Sequence, residues 1–170
     1  MPPRFEDLIE RHHDEIFCYL WRLFGKQRWS DAGTEVEDVA QEVFLRAYRA
    51  FPTLRRDSNY RAWLYKIATN CALTELRRLK RRQDQARLLR DHATCSNSVA
   101  HANFPDDGRS HLSRLLGELP MMQKACVTLR YFEDLNYTEI AAILHCTEEG
   151  ARANVYQAIR RLRVAWEEQR

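Results

Sequence analysis

The chain has 170 residues, 27 Lys and Arg against 24 Asp and Glu, and a formal net charge of +3. That length suits one or two domains with a modest core, and five glycines and five prolines leave long unbroken stretches that favour an all-helical protein. No apolar run approaches a membrane span, and Met1-Pro2-Pro3-Arg4-Phe5-Glu6 lacks the layout of a secretion signal, so a cytoplasmic protein without membrane insertion is expected.

The first helix is expected from Phe5 to Phe24, where Phe5, Leu8, Ile9, His12, Ile16, Leu20 and Phe24 recur at helical spacing. Gly25 to Thr34 reads as a polar loop. A second helix is expected from Val36 to Phe51, with Val36, Val39, Ala40, Val43, Phe44, Ala47 and Phe51 on one stripe and Pro52 as its stop. A third begins near Ser58 or Tyr60 and runs through Trp63, Leu64, Ile67, Cys71 and Leu76 to Arg82. The apolar rhythm lapses between Ala93 and Ser110, where Thr94-Cys95-Ser96-Asn97-Ser98 and Pro105-Asp106-Asp107-Gly108 carry turn chemistry. The expected organisation is therefore a helical domain over 1–92, a flexible linker over 93–110 and a second helical domain over 111–170.

That second domain opens with Leu112 to Leu119 and a helix started by Pro120 that runs to Tyr131. Two helices joined by a tight turn follow, from Leu135 to Arg160. Asn136 and Glu139 have the spacing of a capping box, His145-Cys146 makes the turn, and Thr147 caps the last helix, which carries Glu148 and Glu149 at its positive end. On that helix Ala151, Val155, Ala158, Ile159 and Leu162 share one side. Ala153, Tyr156, Gln157 and Arg160 share the other, flanked by Arg152, Asn154, Arg161 and Arg163. One packed side and one Arg/amide side suit entry into a DNA major groove, because guanidinium and amide groups pair with base edges.

Charge is segregated along the chain. Residues 1–54 have a balance of −3, residues 55–82 a balance of +7, and residues 150–163 hold four arginines and no acid. An acidic front with two basic zones points to one protein partner and two contacts with a polyanion.

Three motifs in order, Glu37-Asp38-Val39-Ala40-Gln41-Glu42-Val43-Phe44-Leu45-Arg46, Tyr60-Arg61-Ala62-Trp63-Leu64-Tyr65-Lys66-Ile67-Ala68-Thr69-Asn70, and Leu119-Pro120 with Leu129-Arg130-Tyr131-Phe132-Glu133 and Tyr137-Thr138-Glu139-Ile140-Ala141, resemble the extracytoplasmic-function group of bacterial sigma factors. The resemblance implies two helical domains, sigma regions 2 and 4. It implies binding to core RNA polymerase, recognition of the -10 and -35 promoter elements, DNA melting, and restraint by an anti-sigma factor. Asp38, Gln41, Glu42 and Leu45 would then face the clamp helices of the polymerase largest subunit. Tyr60, Trp63, Tyr65, Lys66 and Asn70 combine rings and donors suited to an unstacked base, and the resemblance puts -10 reading there, with Leu54, Arg55, Arg56, Asp57, Ser58 and Asn59 forming the pocket. Trp63 is open to two readings, core residue or stacking platform. Leu54 and Arg56 depart from the aromatic and glycine usual in the family.

The -35 readers would be Arg152, Ala153, Asn154, Tyr156, Gln157, Arg160 and Arg161. Arg152-Ala153-Asn154 and Gln157 stand where the family usually carries Lys/Arg-Ser-Arg and another Arg, and Gln157 suits an adenine where an arginine favours guanine.

Other chemistry finds little support. His92, Cys95, His101 and His111 match no zinc spacing, the five cysteines form no CxxC pair, and no phosphate loop, GxSxG or HExxH is present. Reduced thiols, no metal, no cofactor and no enzymatic activity are expected. The competing reading is a helix-turn-helix repressor or activator acting without the polymerase; a metal-dependent nuclease is the remaining one.

Overall fold

The computed structural model describes residues 4–25, 29–55, 57–90 and 108–168. Within them the chain forms seven α-helices: α1 (Phe5–Phe24), α2 (Trp29–Ala50), α3 (Tyr60–Arg90), α4 (Gly108–Glu118), α5 (Met121–Tyr131), α6 (Tyr137–Leu144) and α7 (Glu148–Glu167). No strand occurs among the described residues, so the all-α expectation holds.

Helix α1 has the expected bounds. The Asp7 carboxylate accepts from the Arg4 backbone N–H at 3.2 Å at its start, and Gly25, at φ 73°, ends it in a conformation that a side chain would resist. The expected loop over 25–34 is corrected: α2 begins at Trp29. Its opening residues have the short polar chemistry of a loop, but a helix tolerates one interior glycine such as Gly33 at a cost of about 1 kcal/mol. Pro52 ends α2 as expected, within a single 3-10 turn at Phe51–Thr53.

Helix α3 continues well past Arg82 to Arg90. From Lys80 to Leu88 every residue is exposed, so packing does not hold this part. Arg, Lys, Gln, Ala and Leu are good helix formers, and no Gly or Pro interrupts them. Residues 108–110, expected as linker, open α4; residues 91–107, with His92, Cys95 and His101, lie outside the described residues.

Helices α1–α3 and α4–α7 do not stand apart. Tyr19, Leu64, Tyr65 and Ala68 belong to the same buried cluster as Cys126, Leu129, Leu135 and Ile140. Helix α1 packs on α4 and α5, and α3 packs on α6. A smaller cluster of Leu116, Leu119, Val127 and Ala158 ties α4 and α5 to α7.

Candidate nucleic-acid interface

The helix-turn-helix is built as its sequence dictates. Asn136 Oδ1 accepts from the Glu139 N–H at 2.9 Å while Glu139 Oε2 accepts from the Asn136 N–H at 3.0 Å, a reciprocal cap on α6. His145 takes a left-handed conformation at φ 53°, which closes α6, and the Cys146 N–H bonds back to the Ala141 carbonyl. Thr147 Oγ1 caps α7 by accepting from the Gly150 N–H at 3.0 Å. A Cβ at Gly150 would sit 3.1 Å from that oxygen, so the close cap is suited to glycine there.

Helix α7 buries Ala151, Val155 and Ala158 and exposes Arg152, Ala153, Tyr156, Gln157, Arg160 and Arg161. Tyr156 is 70% exposed, an open ring on the polar side. Three of the expected readers are partly engaged at home. Asn154 is half-buried and its Nδ2 donates to the Gly150 carbonyl at 2.8 Å. Arg152 pairs with Glu148 one turn earlier and lies 5.3 Å from the Tyr137 ring centre. Gln157 accepts a hydrogen bond from Gln123.

The start of α3 is a second surface. Asn59 Oδ1 accepts from the Ala62 N–H at 3.0 Å and caps the helix, while its Nδ2 donates to Glu139 Oε1 at 3.2 Å, across to α6. Arg55 and Asp57 pair at 3.5 Å, and the Ser58 N–H closes a turn on the Arg55 carbonyl; Leu54 is half-buried, and Arg56 lies outside the described residues. Tyr60, Trp63 and Lys66 are half-buried and Asn70 is exposed. Trp63 packs against the core and keeps an open edge, so both of its readings have a physical basis. Tyr65 is a correction: it is fully buried, and its hydroxyl donates to Glu133, so it cannot stack on a base.

Helix α2 carries the third surface. Asp38, Gln41 and Leu45 are exposed, with Leu45 at 45%, and Glu42 is half-buried, accepting from Arg46 Nε at 2.6 Å. Asp38 and Glu42 line a groove of about 360 Å³ with Arg46, Cys71, Thr74 and Arg78. Burial raises the Cys71 thiol above its ordinary value, and Cys126 is pushed up to about 12 for the same reason, so both are protonated near neutrality. Among the described residues no group of three His, Cys, Asp or Glu could hold a metal. His111 meets Trp166 edge-on, with ring centres 4.7 Å apart.

The sequence reading missed the charged seam between the two halves. Glu133, 3% exposed at the end of α5, accepts from Arg22 Nη1 at 3.0 Å and from the Tyr65 hydroxyl, while Arg61 Nη1 donates to its backbone carbonyl at 2.9 Å. Arg61 also donates to Glu15 at 3.0 Å. Burial pushes the Glu133 carboxyl above its ordinary range, with its hydrogen bond and the two arginines opposing. Burial works to raise Glu15 too, but the Arg61 and His12 contacts outweigh it and hold that carboxyl low. Lys124, 8% exposed, donates to the Leu23 carbonyl at 3.4 Å and the Gly117 carbonyl at 3.0 Å. The sequence signal was a charged residue, Lys124, preceding the apolar run Ala125-Cys126-Val127.

Comparison with known proteins places this arrangement. Residues 8–82 match the sigma-70 region 2 family and residues 110–162 match sigma-70 region 4. The RNA polymerase sigma-H factor of Pseudomonas aeruginosa is 34% identical, covering 84% of this chain and 79% of that protein. The ECF RNA polymerase sigma-E factor of Haemophilus influenzae is 29% identical, covering 91% and 82%. The solved sigma factor RpoE of Bartonella quintana, in complex with the anti-sigma factor NepR, shares the fold with a TM-score of 0.75 at 20% identity over 98% of each chain. The chain belongs to the sigma-70 family, in its extracytoplasmic-function group. It is a sigma factor, the subunit through which RNA polymerase starts transcription at promoters.

Proposed function

We propose that this sigma factor docks core polymerase through Asp38, Gln41, Glu42 and Leu45 on α2, takes the -10 element at residues 54–59 and the Tyr60–Asn70 stretch of α3, and takes the -35 element with the exposed side of α7. Residues 1–92 and 111–170 act as its two domains and 93–110 as the connection between them. Its work is binding and melting without covalent catalysis, in the cytoplasm, and an anti-sigma factor restrains it; the Bartonella quintana sigma factor of like fold was solved in complex with the anti-sigma factor NepR.

The observation that carries this reading is α7: its apolar side is buried and its Arg, Tyr and Gln side is exposed at the end of a capped helix-turn-helix. Arg152, Tyr156 and Gln157 lie where base edges are reachable, and Arg160 and Arg161 lie further along for phosphates. The start of α3 is met by α6 through the Asn59–Glu139 bond, so use of both elements at once requires the seam to part.

Run-off transcription with core polymerase tests the assignment. Asp38→Lys/Glu42→Lys is expected to lose competition for core enzyme with helicity largely kept, because Asp38 is exposed, where a substitution costs under about 0.5 kcal/mol, and Glu42 gives up one surface pair with Arg46. Full competition by that variant would remove α2 as the docking surface. Sequence-specific duplex binding by a chain with no affinity for polymerase would instead fit a repressor or activator.

A further inference from the structure

Gln157 does not stand alone on the exposed side of α7. Gln123, on α5, is 5% exposed, and its Nε2 donates to Gln157 Oε1 at 2.9 Å. The pair sits beside the cluster of Leu116, Leu119, Val127 and Ala158, which fixes α5 against α7. Gln123 lies one turn before Val127, and Gln157 adjoins Ala158, so both backbones are anchored where the amides meet.

We propose that Gln123 is a positioning residue that sets which end of the Gln157 amide faces DNA, and so which base α7 accepts. The inference rests on the reading of α7 as the -35 helix. An unrestrained glutamine pairs with adenine by donating to N7 and accepting from the N6 amino group, which uses both ends of its amide. In this chain the oxygen end is turned toward α5 by Gln123. Gln157 itself is exposed, so its nitrogen end is the one free to turn to DNA. The oxygen keeps a second lone pair but is held on the α5 side, so the nitrogen's donors lead toward the base; that suits guanine, whose N7 and O6 are adjacent acceptors, over adenine, whose N6 amino group then meets another donor.

The energetics of the anchor point the same way. Gln123 Oε1 is buried with no hydrogen-bond partner among the described residues. A half-satisfied buried amide detracts from stability. An apolar side chain of similar length would fit the fold at least as well, and what it would lose is the grip on Gln157.

The test is run-off transcription by core polymerase with the full chain, from a duplex promoter library randomised across the -35 element. The chain as it stands is expected to favour guanine over adenine at one position, on the order of fivefold. Gln123→Met is expected to turn that preference toward adenine at that position alone, with thermal stability kept or raised. Gln157→Ala should erase the preference at the same position, and adding Gln123→Met to it should change nothing more. Gln123→Leu repeats the test with a branched side chain should the methionine variant fold poorly. If Gln157→Ala shifts the preference and neither Gln123 variant does, the positioning role is overturned while the reading of α7 stands. An equal shift from Gln123→Met in the Gln157→Ala background would also overturn it, by showing that Gln123 acts elsewhere. No shift from Gln157→Ala removes Gln157 as a reader and the proposal with it.

Discussion

Two carboxylates beside one arginine are shifted in opposite directions from the ordinary carboxylate range. Glu15 is held low, so its contribution to stability is present above the ordinary 4.5 and is lost as pH falls through its depressed value. Glu133 is raised, so its charge opposes the packed state near neutrality, and that opposition fades as pH falls toward 4.5. Removing Glu133 is nevertheless costly, because Arg22 and the buried Tyr65 hydroxyl lose their acceptor. Glu133→Ala should destabilise by about 3 kcal/mol, at the low end for a broken buried pair because Arg22 and Arg61 are 30% and 34% exposed. The gap in thermal midpoint between the two proteins should widen as pH falls from neutral toward 4.5. A gap that narrows would mean that the ionised form is the favoured one in the seam.

At the scale of elements, the caps and the exposed end of α3 separate helices that packing holds from helices that propensity holds. Thr147→Ala removes the acceptor for the Gly150 N–H and should cost about 1 kcal/mol. It should weaken binding to every -35 sequence alike, since it loosens α7 as a body. Gln85→Pro, in the exposed end of α3, should reduce helicity by circular dichroism with little change in thermal midpoint; a large drop would show that this end packs on something after all. The caps were legible because side-chain chemistry and spacing define them locally, as at Asn136, Glu139 and Thr147. The start of α2 and the end of α3 were not. Short polar residues in a helix and in a loop look alike, and a solvent-exposed helix leaves no apolar stripe. On the candidate interface, the exposed side of α7 followed from helical period, whereas the engagement of Gln157 by Gln123 depends on two helices meeting across thirty-four positions of sequence.

At the scale of the whole molecule, the two halves were legible one by one and their contact was not. Tyr65 shows why: nearness in sequence groups it with Trp63 and Tyr60, but the helical period turns it to another side of α3, where it is buried and meets Glu133 from 68 residues away. The seam rests on that cluster, on Lys124 and on the Asn59–Glu139 bond. Glu133→Ala combined with Lys124→Ala should lengthen the distance between labels on α2 and α7, measured by spin-label or fluorescence pairs, and should leave the helical content of each half in place. An unchanged distance would assign the seam to its apolar contacts alone. The seam also has a kinetic side. Because both faces belong to one chain, reclosure is a unimolecular event whose effective concentration, of millimolar order for short tethers, does not fall on dilution. Polymerase and promoter therefore compete with a ligand that is always present at the same strength. With polymerase and promoter in excess, the occupancy of the open form depends on their affinity and concentration, and not on the concentration of the sigma factor itself.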